Sequence, residues 1–172
     1  MDYYDFHEMN EVASEGAIHI ESYLKSLPST ISVTNVEQDP VYQDADIDLL
    51  AVVKEGDGQK TISIEIKVDR YFSKSKNYFF ENISNDNTGS PGCLLKSQAD
   101  FIFYYFLNQE LHIFRTTDVQ RWMALNQTKF KRGIAKNKHY NTQGMLVPRD
   151  LFSKDVTVWV RKITKVTQPQ KT

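Results

Sequence analysis

The chain has 172 residues, 40% of them hydrophobic and 12% aromatic, which is the length of one domain with enough apolar side chains for a core. Seven glycines and five prolines exclude a low-complexity chain, and the single cysteine, Cys93, excludes an internal disulfide and suits a reducing compartment. The first residues are acidic without an apolar run, unlike a signal peptide, and the apolar stretch 101–107 is too short to cross a bilayer. We therefore expect a cytoplasmic protein with no membrane contact.

The net charge of −1 conceals two parts of opposite sign. Residues 1–65 carry 14 acidic and 3 basic side chains, a charge of −11, whereas residues 66–172 carry 8 acidic and 18 basic ones, a charge of +10. An acidic segment suits a metal ion, and a basic segment suits a polyanion. Many domains fold oppositely charged parts against each other, so the pattern alone excludes little.

In chain order, the sequence predicts a helix, then a series of strands, then a mixture of both. Apolar residues at helical spacing predict a first helix over 6–27, which Pro28 ends. Further predicted helices lie at 94–99 and 117–126. Predicted strands lie at 31–36, 46–53, 61–68, 77–83, 101–107, 111–115 and 156–163.

The tract 129–139 is basic and predicts a loop. Together these elements predict a single α/β domain with a central mixed β-sheet flanked by helices. Its core is expected over about 6–115, followed by a basic C-terminal extension over about 116–165.

The segments 46–53 and 61–68 flank a Gly56-Asp57 turn and predict a β-hairpin. With this two-residue turn, the register sets Asp48 directly opposite Glu65. Directly opposed side chains lie about 5 Å apart at Cβ, and two carboxylates so close repel each other unless a cation lies between them. Strand alternation adds Lys67 to the same face, and a one-residue slip of register would remove the arrangement.

This constellation suits phosphodiester hydrolysis. Asp48 and Glu65 are residue types that hold Mg²⁺, and the Ile66 carbonyl is a candidate third oxygen ligand. Such an ion neutralises developing charge and orients a hydroxide nucleophile, while Lys67 positions the water or stabilises the transition state. The alternative interpretation is a salt-bridge ladder on an exposed sheet face, which is common and weakly stabilising.

The sequence Asp-Ile-Asp-Leu-Leu-Ala-Val, a turn, and Ile-Glu-Ile-Lys-Val resembles the signature of the PD-(D/E)XK nuclease superfamily. The segment 91–104 is similar to one in phage-type members. The resemblance covers residues 6–115 and implies a restriction-endonuclease-like core, cleavage of DNA, and Mg²⁺ as cofactor with Mn²⁺ as a substitute. It also implies that Asp48, Glu65 and Lys67 are the catalytic residues.

Two positions depart from the pattern of the family. Ile47 stands where many members have the proline that precedes the aspartate, a change that leaves the metal ligands intact. Many relatives also carry a glutamate on the first helix, at the position where this chain has Ala17. Glu21, one turn later at the edge of the apolar stripe, is our candidate for that catalytic group, and Glu15 is the alternative.

Other charged residues are candidates with an ordinary structural alternative. Asp44 and Asp46 fit solvated acids at the start of a strand, and Glu81 is equally a site residue or an edge charge. The basic residues expected to contact nucleic acid are Lys96, Lys129, Lys131, Arg132, Lys136 and Lys138. A solvated basic loop is the alternative for 129–139. Ser97 is a candidate for contact with the scissile phosphate, and helix capping is the alternative for this residue.

The leading hypothesis is a Mg²⁺-dependent DNA endonuclease. The alternatives are a catalytically inactive nucleic-acid-binding protein on the same fold and a metal-dependent hydrolase of small phosphate esters. Intact Asp48, Glu65 and Lys67 favour an enzyme, and the basic second part of the chain favours a polymeric substrate. Cutting both strands usually takes two active sites, so we expect a homodimer or a higher homo-oligomer.

Overall fold

The computed structural model describes residues 6–136 and 139–163, except for the side chains of residues 6–10, Cys93 and Leu94. The helices are α1 (Phe6–Ser26), α2 (Pro40–Asp44), α3 (Cys93–Lys96), α4 (Thr116–Asn126) and α5 (Arg149–Asp155). The strands are β1 (Thr30–Asn35), β2 (Leu49–Glu55), β3 (Gly58–Asp69), β4 (Asn77–Asn85), β5 (Ser90–Pro91), β6 (Phe101–Phe106), β7 (Glu110–Arg115), β8 (Arg132–Lys136), β9 (Asn141–Pro148) and β10 (Trp159–Lys162). Within the described ranges, no helix combines the length and the apolar character needed to cross a bilayer.

The strands form two sheets in a mixed α/β fold. The large sheet has six strands in the order β1-β2-β3-β6-β7-β10, in which β3 and β6 are parallel and the other neighbours antiparallel. The small sheet has four antiparallel strands in the order β5-β4-β9-β8. The sequence predicts the mixed α/β class and the mixed sheet, but not the second sheet.

The β2–β3 hairpin has the register that the Gly56-Asp57 turn predicts, with Leu49 opposite Ile64 and Glu55 opposite Gly58. Gly56 has a φ of 58°, a left-handed conformation that glycine adopts without a Cβ clash. Alternate residues of β3 pack under α1, namely Ile62, Ile64, Ile66 and Val68. Ser63, Glu65, Lys67 and Asp69 therefore project from the other face of the large sheet.

Helix α1 covers one face of the large sheet. Ile20 and Leu24 are buried there and pack in one cluster with Leu49, Ile64, Phe103, Tyr105 and Leu111. The helix approaches β3 so closely that a Cβ on Gly16 would lie 2.4 Å from Val68 Cγ2. This close approach brings the first half of α1 alongside the second half of β3.

An aromatic core fills the space between the opposite face of the large sheet, the small sheet, α4 and α5. Its buried members include Tyr78, Phe80, Tyr104, Phe106, Phe114, Trp122 and Phe152. Strand β4 thus directs Tyr78 and Phe80 into the core, so alternation places Asn77, Phe79 and Glu81 on its other face. The polar face of β3 and this second face of β4 both border the candidate site described below.

Several predicted boundaries and elements need correction. The tract 129–139, predicted as a loop, contains strand β8, and α2, β9 and α5 were not predicted at all. Strand β8 lies at the edge of the small sheet with its basic residues exposed, so it lacks the apolar alternation that marks a strand. Strand β2 begins at Leu49 rather than at residue 46, because Asp46 has a φ of 51° and interrupts the extended backbone.

Candidate active site

Asp48 and Glu65 lie side by side where the β2–β3 hairpin joins the loop before β2. The Asp48 amide donates a hydrogen bond to the Ile64 carbonyl at 2.9 Å, which continues the hairpin register one step past Leu49. Asp48 Oδ2 accepts a hydrogen bond from the Ile66 amide at 2.7 Å, and the Asp48 and Glu65 carboxyl groups share a hydrogen bond. The structure therefore brings together the two carboxyl groups that the register predicts.

Burial controls the protonation of this pair. Glu65 is only 8% exposed, and burial, together with the neighbouring Asp48 charge, raises the pKa of its carboxyl group well above the usual value. Burial also raises the pKa of Asp48 to about 6, although the hydrogen bond from the Ile66 amide acts in the opposite direction. Two such groups keep a shared proton more readily than they carry two bare charges.

The donor chemistry of this pair fits a hard divalent cation. A cation between Asp48 and Glu65 would neutralise both carboxyl groups, as a proton does, and carboxylate and carbonyl oxygens are ligands that Mg²⁺ prefers. Among the side chains that the structure describes, no three from His, Cys, Asp or Glu form a metal-binding group. A cation here would thus have Asp48 and Glu65 as side-chain ligands, and the Ile66 carbonyl is the predicted third ligand.

Lys67 forms an ion pair with Glu81, which comes from β4 of the small sheet. The side chain of Glu81 is only 14% exposed, and that of Lys67 is 27% exposed. Gly92 packs directly on Glu81, because a Cβ on Gly92 would lie 2.4 Å from the Glu81 carbonyl oxygen. Of the two roles that the sequence leaves open for Glu81, the structure places this residue at the site, because the two sheets meet there.

Asp46 lies beside the Asp48–Glu65 pair, whereas the sequence predicts a solvated acid at the start of a strand. Lys96 Nζ lies 3.3 Å from Asp46 Oδ1, and Ser97 Oγ donates a hydrogen bond to the Asp46 carbonyl at 3.1 Å. The charge of Asp46 contributes to raising the pKa of both Asp48 and Glu65. Lys96, which the sequence predicts to contact nucleic acid, thus lies next to the carboxyl groups, where Asp46 and a backbone carbonyl bind its ammonium group.

Asp48, Glu65, Lys67 and Glu81 line a cleft of about 690 Å³, a volume in the range of ligand-binding sites. Part of the lining is the polar face of β3, with Glu65, Lys67 and Asp69. Other parts come from α1, from the loop that follows β3, and from the small sheet; they include Val12, Ala13, Ala17, Arg70, Tyr71, Lys74, Phe79, Glu81, Ala135, Thr142 and Leu146. Glu37 also lines the cleft, and its charge contributes to raising the pKa of Asp48.

Comparisons with models of protein families, with curated proteins and with solved structures found no match to this chain. What the site can do therefore has to follow from its own residues.

The helix glutamate predicted at Glu21 does not line the cleft. Its carboxylate forms an ion pair with Lys25 on the next turn of α1, and the α1 residues that line the cleft lie nearer the start of the helix, up to Ala17. Four residues advance a helix by about 6 Å, which carries Glu21 beyond the cleft. The alternative, Glu15, lies 3.9 Å from the His19 ring instead.

The predicted basic contacts are dispersed. Lys129 Nζ donates a hydrogen bond to Asn126 Oδ1 at 2.9 Å, at the end of α4. Exposed positions on or beside β8 hold Lys131, Arg132 and Lys136, and Lys138 lies outside the described residues. Gly133 of β8 pairs with Gly144, which pairs with Glu81, so these three residues lie on the same face of the small sheet. Arg132 and Lys136 alternate with Gly133 along β8 and therefore lie on the opposite face.

Sequence reasoning missed two basic residues that do line the cleft, Arg70 and Lys74. Both lie near the ring of Tyr71, with Arg70 Cζ 5.4 Å and Lys74 Nζ 5.8 Å from the ring centroid. A signal was present in the sequence, because a basic loop that directly follows the strand carrying Glu65 and Lys67 has to start beside the site.

Proposed function

We propose that the protein is a Mg²⁺-dependent endonuclease that hydrolyses phosphodiester bonds in DNA. The observation that carries the proposal is the Asp48–Glu65 pair, in which a half-buried and a buried carboxyl group are in hydrogen-bond contact and open into a cleft beside Lys67. Two carboxyl groups in contact and largely shielded from water favour a shared proton or a bound cation over two separate negative charges.

The proposal includes a restriction-endonuclease-like core of the PD-(D/E)XK type. Three features of the fold support it: an antiparallel hairpin carries the aspartate and the Glu-X-Lys sequence, β6 pairs in parallel with the second strand of that hairpin, and α1 packs on the opposite face. The small sheet is an addition to that core, and it supplies Glu81 to the site.

In the proposed mechanism, Asp48, Glu65 and the Ile66 carbonyl would hold the metal ion. Mg²⁺ bound there would neutralise the phosphate charge and activate a water molecule. The Ile66 amide orients the Asp48 carboxylate through its hydrogen bond to Oδ2. Burial of Glu65 keeps water away from the carboxyl groups, which strengthens every electrostatic interaction in the site.

Lys67 supplies a positive charge where negative charge develops on the phosphate in the transition state. Glu81 holds the ammonium group of Lys67 in the cleft. Arg70 and Lys74 line the same cleft and are suited to phosphates on either side of the scissile bond. This extended set of cations favours a polymeric substrate over a small phosphate ester.

A catalytically inactive nucleic-acid-binding protein is the second candidate. The observation that favours it is the Lys67–Glu81 ion pair, because an ammonium group held by a carboxylate has to exchange that partner for the substrate. Binding and cleavage assays separate the two candidates.

The decisive test is cleavage of supercoiled plasmid and of circular single-stranded DNA with Mg²⁺, compared with EDTA. We expect Glu65→Gln and Lys67→Ala each to lower the cleavage rate by about 100-fold or more, the size of effect seen when one transition-state contact is lost. Glu55→Gln and Lys60→Ala are matched controls, because both side chains are exposed on the same hairpin, and these variants should cut at the normal rate. Cleavage that survives both site substitutions contradicts the proposal, and binding without cleavage by the unmodified protein favours the second candidate.

A further inference from the structure

The carboxyl groups of the candidate site lie inside a cleft and not on an open sheet face. Lys67 on β3 contacts Glu81 on β4, so the large and small sheets meet beside Glu65. The first half of α1 contributes Ala13 and Ala17 to the lining. A cleft of about 690 Å³ has the volume of sites that take a small ligand. A cleft bounded in this way by two sheets and a helix admits one unpaired strand more readily than a double helix, which carries a second backbone and its paired bases.

The ring of Phe79 lies on two glycines at the side of this cleft. A Cβ on Gly133 would lie 2.9 Å from Phe79 Cε2, and a Cβ on Gly144 would lie 2.8 Å from Phe79 Cζ. Gly133 and Gly144 are directly paired on β8 and β9, so their backbones form a flat seat for the ring. Tyr78 and Phe80 are fully buried in the aromatic core, whereas Phe79 is half-buried and lines the cleft.

The backbone under Phe79 is held by the large sheet. The Phe79 amide donates a hydrogen bond to the Tyr104 hydroxyl at 3.1 Å, and that hydroxyl donates to Asp69 Oδ2 at 2.9 Å. A ring fixed in this way loses little conformational freedom when a ligand packs on it. It therefore has the properties of a stacking surface for a flat, apolar group.

Cationic and aromatic groups occur together in the cleft. Lys67, Arg70 and Lys74 line it with Phe79 and Tyr71. Five acidic side chains also line it, so a phosphate binds there only when protons or a cation neutralise the Asp48–Glu65 pair. Proteins that bind single-stranded nucleic acid combine positive charge along the backbone with aromatic rings on which successive bases stack. Phe79 is two residues from Glu81 on the same face of β4, so a base on its ring lies near the site where Lys67 is held.

We infer that the cleft takes single-stranded DNA, with a base stacked on Phe79 and adjoining phosphates near Lys67 and Arg70. The inference rests on the proposed function, because it places one phosphodiester of that strand at Asp48 and Glu65. Duplex DNA then becomes a substrate only where its strands are separated, as at frayed ends, flaps and mismatches. One copy of the chain is sufficient for such a cut, because only one strand is cleaved.

Binding is measured without cleavage in an Asp48→Asn/Glu65→Gln double variant in EDTA, which removes two negative charges and the proposed metal ligands. By fluorescence anisotropy, we expect a labelled single-stranded DNA to bind about tenfold or more tightly than the same sequence as a duplex. A strand that carries 2-aminopurine should lose fluorescence on binding, because stacking on an aromatic ring quenches this base.

In the same background, Phe79→Leu should weaken single-strand binding by about tenfold and abolish the quenching, as the loss of one base–aromatic stack predicts. Phe79→Tyr keeps an aromatic face and should retain both. Phe101→Leu is the matched control, because Phe101 is also half-buried but lies at the start of β6, where Arg115 Cζ is 5.7 Å from its ring centroid. This variant should change neither the affinity nor the quenching. Thermal melting checks that each variant is folded. If Phe79→Leu does not fold, the preference for single strands and the quenching measured in the Asp48→Asn/Glu65→Gln protein decide whether the inference holds.

Equal affinity for duplex and single-stranded DNA overturns the inference, and so does quenching that persists in folded Phe79→Leu. Tighter binding of RNA of the same sequence overturns the choice of DNA. Cleavage by the unmodified protein with Mg²⁺ is measured separately. A protein that stacks single strands on Phe79 without cutting them refutes the proposed function and supports this binding site. A protein that cuts duplexes and single strands equally well supports the proposed function and refutes the single-strand site.

Discussion

Asp48 and Glu65 act against the stability of the metal-free fold. Burial raises the pKa of each carboxyl group, so the folded protein binds protons at this pair more tightly than the unfolded chain does. For Asp48, the stabilising contribution is present below its ordinary pKa of 3.8 and is lost as pH rises through about 6. At higher pH the pair therefore favours unfolding, unless a cation replaces the proton.

Asp48→Asn removes this opposition, because an amide carries no charge and its oxygen can still accept the hydrogen bond from the Ile66 amide. Without metal, we expect the variant at pH 8 to be more stable than the unmodified protein by on the order of 1 to 3 kcal/mol, with the difference fading towards pH 4. Urea unfolding in EDTA across this pH range measures the difference.

Asp57→Asn, in the exposed hairpin turn, is the control for loss of one negative charge. It should show no comparable gain at pH 8. An Asp48→Asn protein that is less stable than the unmodified protein at pH 8 would contradict the account of the buried pair.

At the scale of elements, the β2–β3 turn sets the geometry of the site. Gly56 has a φ of 58°, and no atom lies within 4 Å of where its Cβ would be, so Gly56→Ala strains the backbone and clashes with nothing. We expect it to lower the free energy of unfolding by about 1 kcal/mol, the cost of a left-handed conformation for an L-residue. Cleavage should persist, because the turn keeps its length. Urea unfolding and the plasmid assay measure both effects.

Gly58→Ala is the matched control, because its φ is not in the left-handed region and its Cβ would lie 3.7 Å from the Glu55 carbonyl oxygen, an ordinary contact. Inserting one residue inside β3, between Ser63 and Ile64, should instead abolish cleavage, since it moves Glu65 by one position and turns its side chain away from Asp48. Full activity of the insertion variant would show that the hairpin register does not set the site.

The sequence predicts those elements whose signals are local. Helical spacing predicts α1, and the Gly56-Asp57 turn with strict alternation in β3 predicts the hairpin register that brings Asp48 to Glu65. Both depend on residues that are close in sequence. The catalytic role of these residues stays a prediction until cleavage is measured.

What the sequence does not predict depends on contacts between distant segments. The small sheet pairs residues of β4 with residues of β9 that lie 60 to 71 positions later. Neither the position of Glu81 nor the two glycines under Phe79 therefore have a local signal. The periodicity of α1 gives its apolar face but not its position along the large sheet, and this position leaves Glu21 beyond the cleft. A basic edge strand such as β8 has the composition of a loop.

At the scale of the whole molecule, the chain passes between the two sheets more than once. The connection between the parallel strands β3 and β6 contains β4 and β5 of the small sheet. After β7, the chain completes the small sheet with β8 and β9 and then returns to the large sheet as β10. Residues 116–163 therefore belong to both sheets, and the two sheets share the aromatic core.

This interleaving predicts one cooperative unfolding transition. Trp122 reports on the core, because its indole donates a hydrogen bond to Asp155 at 2.9 Å and its ring packs on Phe152. In a Trp159→Phe variant, the fluorescence of Trp122 and the far-UV circular dichroism should change together in urea. A fragment that ends at Arg115 should not fold, since β4 loses β9. A well-dispersed NMR spectrum of that fragment would contradict the prediction.

The same order of strands has a consequence during protein synthesis. When the ribosome has released the chain only as far as β7, the carboxylates, Lys67 and Glu81 have all been made, but β4 has no β9 beside it and Phe79 has no glycine seat. The aromatic residues of β4 and β6 are exposed at that stage, and they are a surface for a chaperone to bind. The cleft is complete only after residue 148 has emerged, so a nascent chain lacks the finished site while it is still close to the messenger and ribosomal RNA.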